Sequence, residues 1–179
     1  YAGLSDFMPN HVVSGVLQEA LEAVGAPAYD EEDFKLARAF FYDGVSPEEL
    51  EAKKAAIKKK FGPALAETFY EKPLDTHIAP LAWKGEIQSG SSDVGDASYV
   101  MPTAWLSTAT ATLGTAGHTW QMAAHGNTGI AHKAMLTAGK VLALAAVRFY
   151  EEPELAEAAK KELAEETGGV YECPIPKEI

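Results

Sequence analysis

Ala104-Trp105-Leu106-Ser107-Thr108-Ala109-Thr110-Ala111-Thr112 has the Thr-rich, partly aromatic content of a β-strand. Ahead of it, across a turn at Pro102, Ala97-Ser98-Tyr99-Val100 predicts a second strand. Behind it, Ile130 to Tyr150 is the strongest helix in the chain, apolar nearly all round through Ile130, Ala134, Met135, Ala138, Val141, Leu142, Ala145 and Val147. A helix of that kind packs closely on a sheet. Together these elements predict an α/β fold, a layered sheet with helices packed on it, in a single domain over residues 1–179. Two or three strands are few for so much apolar helix. The prediction therefore needs further strands, unread here or lying in sequence outside this chain.

Toward the N-terminus the pattern is helical. Pro9-Asn10 supplies an N-cap, and Val12, Val13, Val16, Leu17, Ala20, Leu21 and Val24 recur at helical spacing until Gly25 and Pro27. A second helix is predicted from Asp30, where Glu31, Glu32 and Asp33 favour the positive end of the helix dipole, to about Tyr42. Ser46-Pro47-Glu48-Glu49 combines an N-cap, a proline at the first helical position and a capping-box glutamate. It opens a charged helix to about Lys60 with a thin apolar face. Residues 71–96 read as a long loop with short extended pieces, and 114–129 as irregular. Loops that long in compact domains are commonly functional. A last charged helix runs from Pro153 to Gly168-Gly169, followed by an edge strand and tail.

With 15 Lys+Arg against 26 Asp+Glu, the chain carries a formal charge of −11, which argues against nucleic acid as a partner. The one basic run, Lys58-Lys59-Lys60, sits among Ala and Glu and reads as a solvated helix face. A lone Cys173 provides neither a disulfide framework nor a thiolate metal site, so a cytoplasmic setting is expected. No apolar stretch is read as approaching the ~18 residues that span a bilayer, so no membrane association is expected. The first residues are Tyr1-Ala2-Gly3 rather than Met, which suggests that the chain begins inside a longer polypeptide.

The densest polar constellation is Ser91-Ser92-Asp93-Val94-Gly95-Asp96, then Gly117-His118-Thr119-Trp120-Gln121, His125 and His132. Imidazole and carboxylate suit Zn, Mn and Co. Spacing alone leaves the bland alternatives open: each His as a surface or core residue, and Asp93 and Asp96 as turn formers. The chain lacks a phosphate loop, a GxSxG elbow, a dinucleotide fingerprint and an HExxH pair.

Three runs carry a resemblance: Ser92-Asp93-Val94-Gly95-Asp96-Ala97-Ser98-Tyr99-Val100-Met101-Pro102-Thr103, Gly114-Thr115-Ala116-Gly117-His118-Thr119-Trp120-Gln121, and Ile130-Ala131-His132-Lys133-Ala134-Met135. They resemble the C-terminal portion of the metal-dependent amidohydrolase and peptidase family that includes the aminoacylases and carboxypeptidase G. The opening segment from Met8-Pro9-Asn10 to Asp33-Phe34 resembles the same family where its chain leaves an inserted lid domain. The resemblance implies a zinc-peptidase-like catalytic domain cleaving an amide between an acyl group and an amino acid such as glutamate, with Zn or Mn as cofactor. It implies that the other metal ligands and the catalytic Glu come from an N-terminal half absent from this sequence, so that this chain alone is inactive. Within this segment it points to His118, then His125, as the metal-binding His. Asp93, Asp96 and His132 are given roles beside the metal or facing the substrate. The partners it implies are the acyl-amino acid and the missing half or a partner chain, while the unfinished sheet favours pairing with another copy in a homo-oligomer. A different class of reading keeps the scaffold without the chemistry, as a small-ligand binding or assembly module.

Overall fold

The computed structural model describes residues 4–81, 92–173 and 175. Its described residues form eight helices and no strand: α1 (His11–Val24), α2 (Glu31–Tyr42), α3 (Pro47–Phe61), α4 (Pro63–Glu71), α5 (Val94–Ser98), α6 (Trp120–His125), α7 (Gly129–Glu151) and α8 (Pro153–Thr167). They fall into two compact units. One comprises residues 1–24, 79–106 and 141–179, the other residues 25–78 and 107–140, so the long α7 runs through both.

In the first unit α1 packs against α8. Val16, Leu17 and Ala20 of α1 and Val141 and Ala145 of α7 form its buried core, flanked by Ala104, Leu106 and Leu155. The start of α1 is held from two sides. Asn10 Oδ1 accepts from the Val13 amide at 3.0 Å while its Nδ2 donates to the Ala159 carbonyl, also at 3.0 Å. Glu162 of α8 accepts from the His11 amide at 2.6 Å and the Val12 amide at 3.1 Å, and its Oε1 lies 2.7 Å from His11 Nδ1. A carboxylate there satisfies amides that the helix itself leaves open.

Burial works to raise the Glu162 carboxyl, but the His11 and Val12 amides and the His11 ring outweigh it and hold its pKa below the usual range. A depressed folded-state pKa stabilises above the unfolded value and loses that contribution as pH falls through the folded one. Acid is therefore expected to loosen this unit below about pH 4.5. Glu162→Gln should lower the melting temperature at pH 7 and flatten its acid dependence. An unchanged acid limb would show that the cap does not titrate.

In the second unit α3 packs on α4, and Phe41, Ile57, Ala66 and Phe69 form a buried cluster. A neighbouring cluster joins Ala37, Leu74 and Ile130, with Tyr29 and Phe34 against it. The helix starts follow the signals in the sequence. Asp30 and Asp33 form a capping box, as do Ser46 and Glu49, with Pro47 at the first position of α3. Helix α4 also has a proline at its start, Pro63, and its face supplies Ala66 and Phe69 to the core.

The expected α/β sheet, and with it the zinc-peptidase-like layering, is overturned: Ala97–Val100 lies in the end of α5 and the turn after it, and 104–112 is neither helix nor strand. Strand-like composition describes fit to a pleated, half-buried surface, which exists only where a neighbouring strand does. Here the backbone groups of this segment are used by loops and side chains. Within it the Thr110 amide donates to the Thr108 carbonyl at 2.9 Å, the Tyr29 hydroxyl donates to the Ala109 carbonyl and the Thr112 amide donates to His125 at 3.2 Å, while just ahead of it the Thr103 carbonyl accepts from the Asn10 amide at 2.8 Å. No strand appears at 171–173 either. The expected loop of 71–96 gives way to α5 at Val94, and its residues 82–91 lie outside the described residues, as do 174 and 176–179 of the tail.

The reading of the chain as free of bilayer-length stretches is also corrected. Helix α7 has 23 residues and is apolar enough over 18 of them to cross a membrane by length and composition, with 33% of that window buried.

Candidate functional site

The segment Gly114 to Gly129 forms a turn, a short helix and the entry to α7. Gly114 has φ 77°, and Lys53 lies over it so closely that a Cβ there would sit 3.1 Å from the Lys53 Cγ. The positive φ favours glycine, whereas the Lys53 side chain could make room for a Cβ by shifting a few tenths of an ångström. Three residues after Gly114, at the second glycine of the run, the chain reaches Gly117-His118-Thr119. Thr119 caps α6, its Oγ1 accepting from the Met122 amide at 3.4 Å.

Between glycine and cap stands His118 at φ 57°, the one non-glycine residue with positive φ among the described residues. Its side chain is exposed and makes no hydrogen bond among those residues. Left-handed backbone costs an L-residue about 1–2 kcal/mol, and such costs gather where a side chain must be held in a particular place. Nothing in the packing around His118 accounts for a histidine here rather than a glycine.

His125 is the opposite case. It is fully buried at the end of α6, its ring centroid 4.0 Å from that of Phe40. Nδ1 donates to the Gln121 carbonyl at 2.7 Å, and Nε2 accepts from the Thr112 amide at 3.2 Å, with the Thr112 hydroxyl 2.9 Å away. Burial pushes its pKa below the ordinary value, against the pull of the Gln121 carbonyl. In this arrangement both ring nitrogens are used by the protein, Nδ1 as donor and the Nε2 lone pair as acceptor. Sequence singled out neither Thr112 nor Phe40 as a partner of His125, and quoted Gln121 only within its polar run. Only the spacing of Gln121 and His125, one helical turn, hinted at any of these contacts.

His132 lies exposed in the first turn of α7. Next to it Lys133 reaches back to α2, pairing with Asp30 at 2.6 Å and with the buried Asp33. Its hydrogen bonds to Asp30 and then Asp33 raise the Lys133 pKa, so the ammonium stays charged. Asp33 also comes so near Gly129 that a Cβ there would lie 2.8 Å from its Oδ1.

In the other unit Asp93 stands exposed at the start of α5 without capping it. Asp96 accepts from the Ser5 amide and the Tyr171 hydroxyl, each at 3.2 Å. The Ser5 hydrogen bonding holds its carboxyl below the usual range. An open depression of about 530 Å³ nearby is lined by Tyr99, Met101, Lys160, Leu163 and Tyr171.

Among the described residues no three His, Cys, Asp or Glu side chains gather as a divalent cation requires. His118 offers one free imidazole. One donor does not make a metal site.

With this geometry in hand, comparison relates the chain first to a class, the hydrolases, through one component of such an enzyme. That relative is a subunit of the p-aminobenzoyl-glutamate hydrolase of Escherichia coli (strain K12), 30% identical over 178 residues, covering 98% of this chain. The resemblance carried by residues 92–135 thus extends nearly end to end, while the chain spans only 37% of the relative's length. No family model matches the chain. No solved structure matches it either.

Proposed function

We propose that this chain is the C-terminal part of a metal-dependent amidohydrolase that cleaves an acyl-amino acid of the aminobenzoyl-glutamate kind, and that it is inactive alone. The observation that carries the reading is His118: an exposed, unpartnered imidazole held on strained backbone, in a chain similar almost throughout to part of a hydrolase. His118 is the residue this chain lends to a Zn or Mn ion, whose other ligands come from the remainder of the protein or a partner chain. The metal, once bound, supplies Lewis-acid activation of water and carbonyl. Asp93, exposed and touched by the Ser92 hydroxyl at 3.5 Å, and the ionised Asp96 are suited to orient the ligand set or face the substrate, and His132 to support the start of α7. Such an enzyme works where its small acyl-amino acid substrate is found, in the cytoplasm.

The test sets stability against binding. Because glycine relieves the left-handed strain, His118→Gly should stabilise the 179-residue chain by about 1 kcal/mol. In the full-length gene product the same change should lower bound Zn or Mn at least tenfold, together with acyl-glutamate hydrolysis. Unchanged metal content and activity in the full-length variant would overturn the assignment.

A further inference from the structure

Trp120 opens α6 with its indole in solvent. At 72% exposure it is the most exposed large apolar side chain of its unit, ahead of Leu136 at 63% and Met135 at 60%. Tryptophan ordinarily brings most of its ring into a core or an interface. The buried clusters of this unit, around Phe41 and around Ile130, are built without it, and it joins none of the ring pairs among the described residues.

The backbone that carries the ring is nonetheless held. Thr119 Oγ1 accepts from the Met122 amide at 3.4 Å and donates to the Ala116 carbonyl at 2.8 Å, so one side chain ties the turn before His118 to the first turn of the helix after it. Ala116, Gly117 and His118 are exposed beside it, and a Cβ on Gly117 would meet nothing within 4 Å. His118 and Trp120 thus stand two residues apart, at most about 7 Å of backbone, on one pinned and open turn. A small molecule held at the imidazole lies within reach of the indole.

The indole determines which part of such a molecule it would touch. It offers a broad apolar face, and aromatic rings favour offset or edge-to-face contact with it. In the proposed reading the carbonyl under attack is brought to His118. Where the acyl group is a benzoyl, its ring is bonded directly to that carbonyl carbon. An acetyl group has no ring to offer, and the charged glutamate end lies across the amide nitrogen and gains little from an apolar face. A protein partner is the other common occupant of an exposed tryptophan. The turn disfavours it, because Ala116 and Gly117 are small and supply no second anchor.

We infer that Trp120 is the specificity-determining residue for an aromatic acyl group, stacking on the ring of a benzoyl-amino acid whose carbonyl is brought to His118. The inference rests on the proposed reading of the chain as part of an amidohydrolase, and it adds which side chain reads the acyl half of the substrate.

The test compares the full-length gene product with its Trp120→Ala and Trp120→Phe variants. Three quantities are measured: kcat and KM on p-aminobenzoyl-glutamate and on acetyl-glutamate, calorimetric affinity for p-aminobenzoate, which cannot be hydrolysed, and melting temperature. Trp120→Ala should lower the ratio of kcat/KM for the aromatic over the acetyl substrate at least tenfold, chiefly through KM, and weaken p-aminobenzoate at least tenfold. Trp120→Phe keeps a ring and should retain most of both. The melting temperature should not move, since the indole packs on nothing that the fold needs. Equal losses on the two substrates, as a partner contact or a structural role would give, would overturn the assignment, and so would a ratio and an affinity that stay put. Hydrolysis by the unaltered protein with a ratio indifferent to Trp120 removes only the specificity residue. Binding of p-aminobenzoate that depends on Trp120, without hydrolysis, removes only the hydrolase reading. Neither binding nor hydrolysis removes both.

Discussion

Gly95→Ala is expected to unseat the N-terminal segment and to cost its unit about 2–3 kcal/mol, with a fall in melting temperature on the order of 5–10 °C. Gly95 is buried at the second position of α5, where Ser5 crosses it, and an added Cβ would lie 2.1 Å from the Ser5 carbonyl oxygen and 3.1 Å from its carbonyl carbon. Both atoms are backbone, so no side chain can swing aside. The crossing strand of chain must lift, and with it go the bonds that depend on its position. These are the Ser5 amide to Asp96 at 3.2 Å, the Met8 amide to the Ser98 hydroxyl at 2.9 Å, and the Tyr99 hydroxyl to Asp6 at 2.7 Å. Limited proteolysis should then cut within residues 4–8 far faster than in the unaltered chain. Gly139→Ala is the internal control, because its Cβ meets nothing and alanine is the better helix former. It should leave the short chain as stable or about 1 kcal/mol more so. Equal effects of the two alanines would mean that the close crossing of Ser5 over α5 is not what holds the segment.

Much of the helical framework was legible because helix ends are written in local chemistry. Asp30, Ser46 and Pro47 announce α2 and α3 by themselves, and Gly168 stops α8 where a left-handed residue is needed. Helix α4 was equally announced, by Pro63 after Gly62, yet went unread beside the stronger signal of the lysine run. What failed was non-local. Whether 104–112 becomes a strand depends on the presence of a neighbouring strand, which composition cannot report, and its carbonyls and amides went instead to Tyr29, His125 and its own next residues. The same limit applies to α7, where an apolar surface nearly all round predicted packing on a sheet and the described residues cover one side of it without a sheet.

At the site, sequence supplied the right residue types but not their states. His118 and His125 look alike in a spacing argument. In the fold, one stands in the left-handed region with a free ring, and the other spends both nitrogens on backbone groups of its own unit. That distinction turns on Thr112, thirteen residues away from His125, and no short motif carries it.

His125 therefore carries the second large effect. His125→Ala should destabilise the chain by about 3–5 kcal/mol, since it opens a void beside Phe40 and leaves the buried Thr112 amide without an acceptor. His125→Gln retains a polar end for Thr112 and should cost less. The ring's pH behaviour follows from its burial. The folded chain holds it neutral with a depressed pKa, while the unfolded chain binds a proton near pH 6.5. Stability from this group is thus complete above about pH 6.5 and is lost as pH falls toward the folded value. Chemical denaturation of the wild type between pH 7 and 5 should show that decline, and His125→Gln should remove it. A slope that survives the substitution would mean the imidazole is not held neutral. The same pair of variants separates structure from ligation: a histidine whose Nε2 lone pair already accepts the Thr112 amide has none left for a cation. In the full-length protein His125→Gln should keep its Zn or Mn wherever it folds, while His118→Gly loses metal from a chain that is, if anything, more stable.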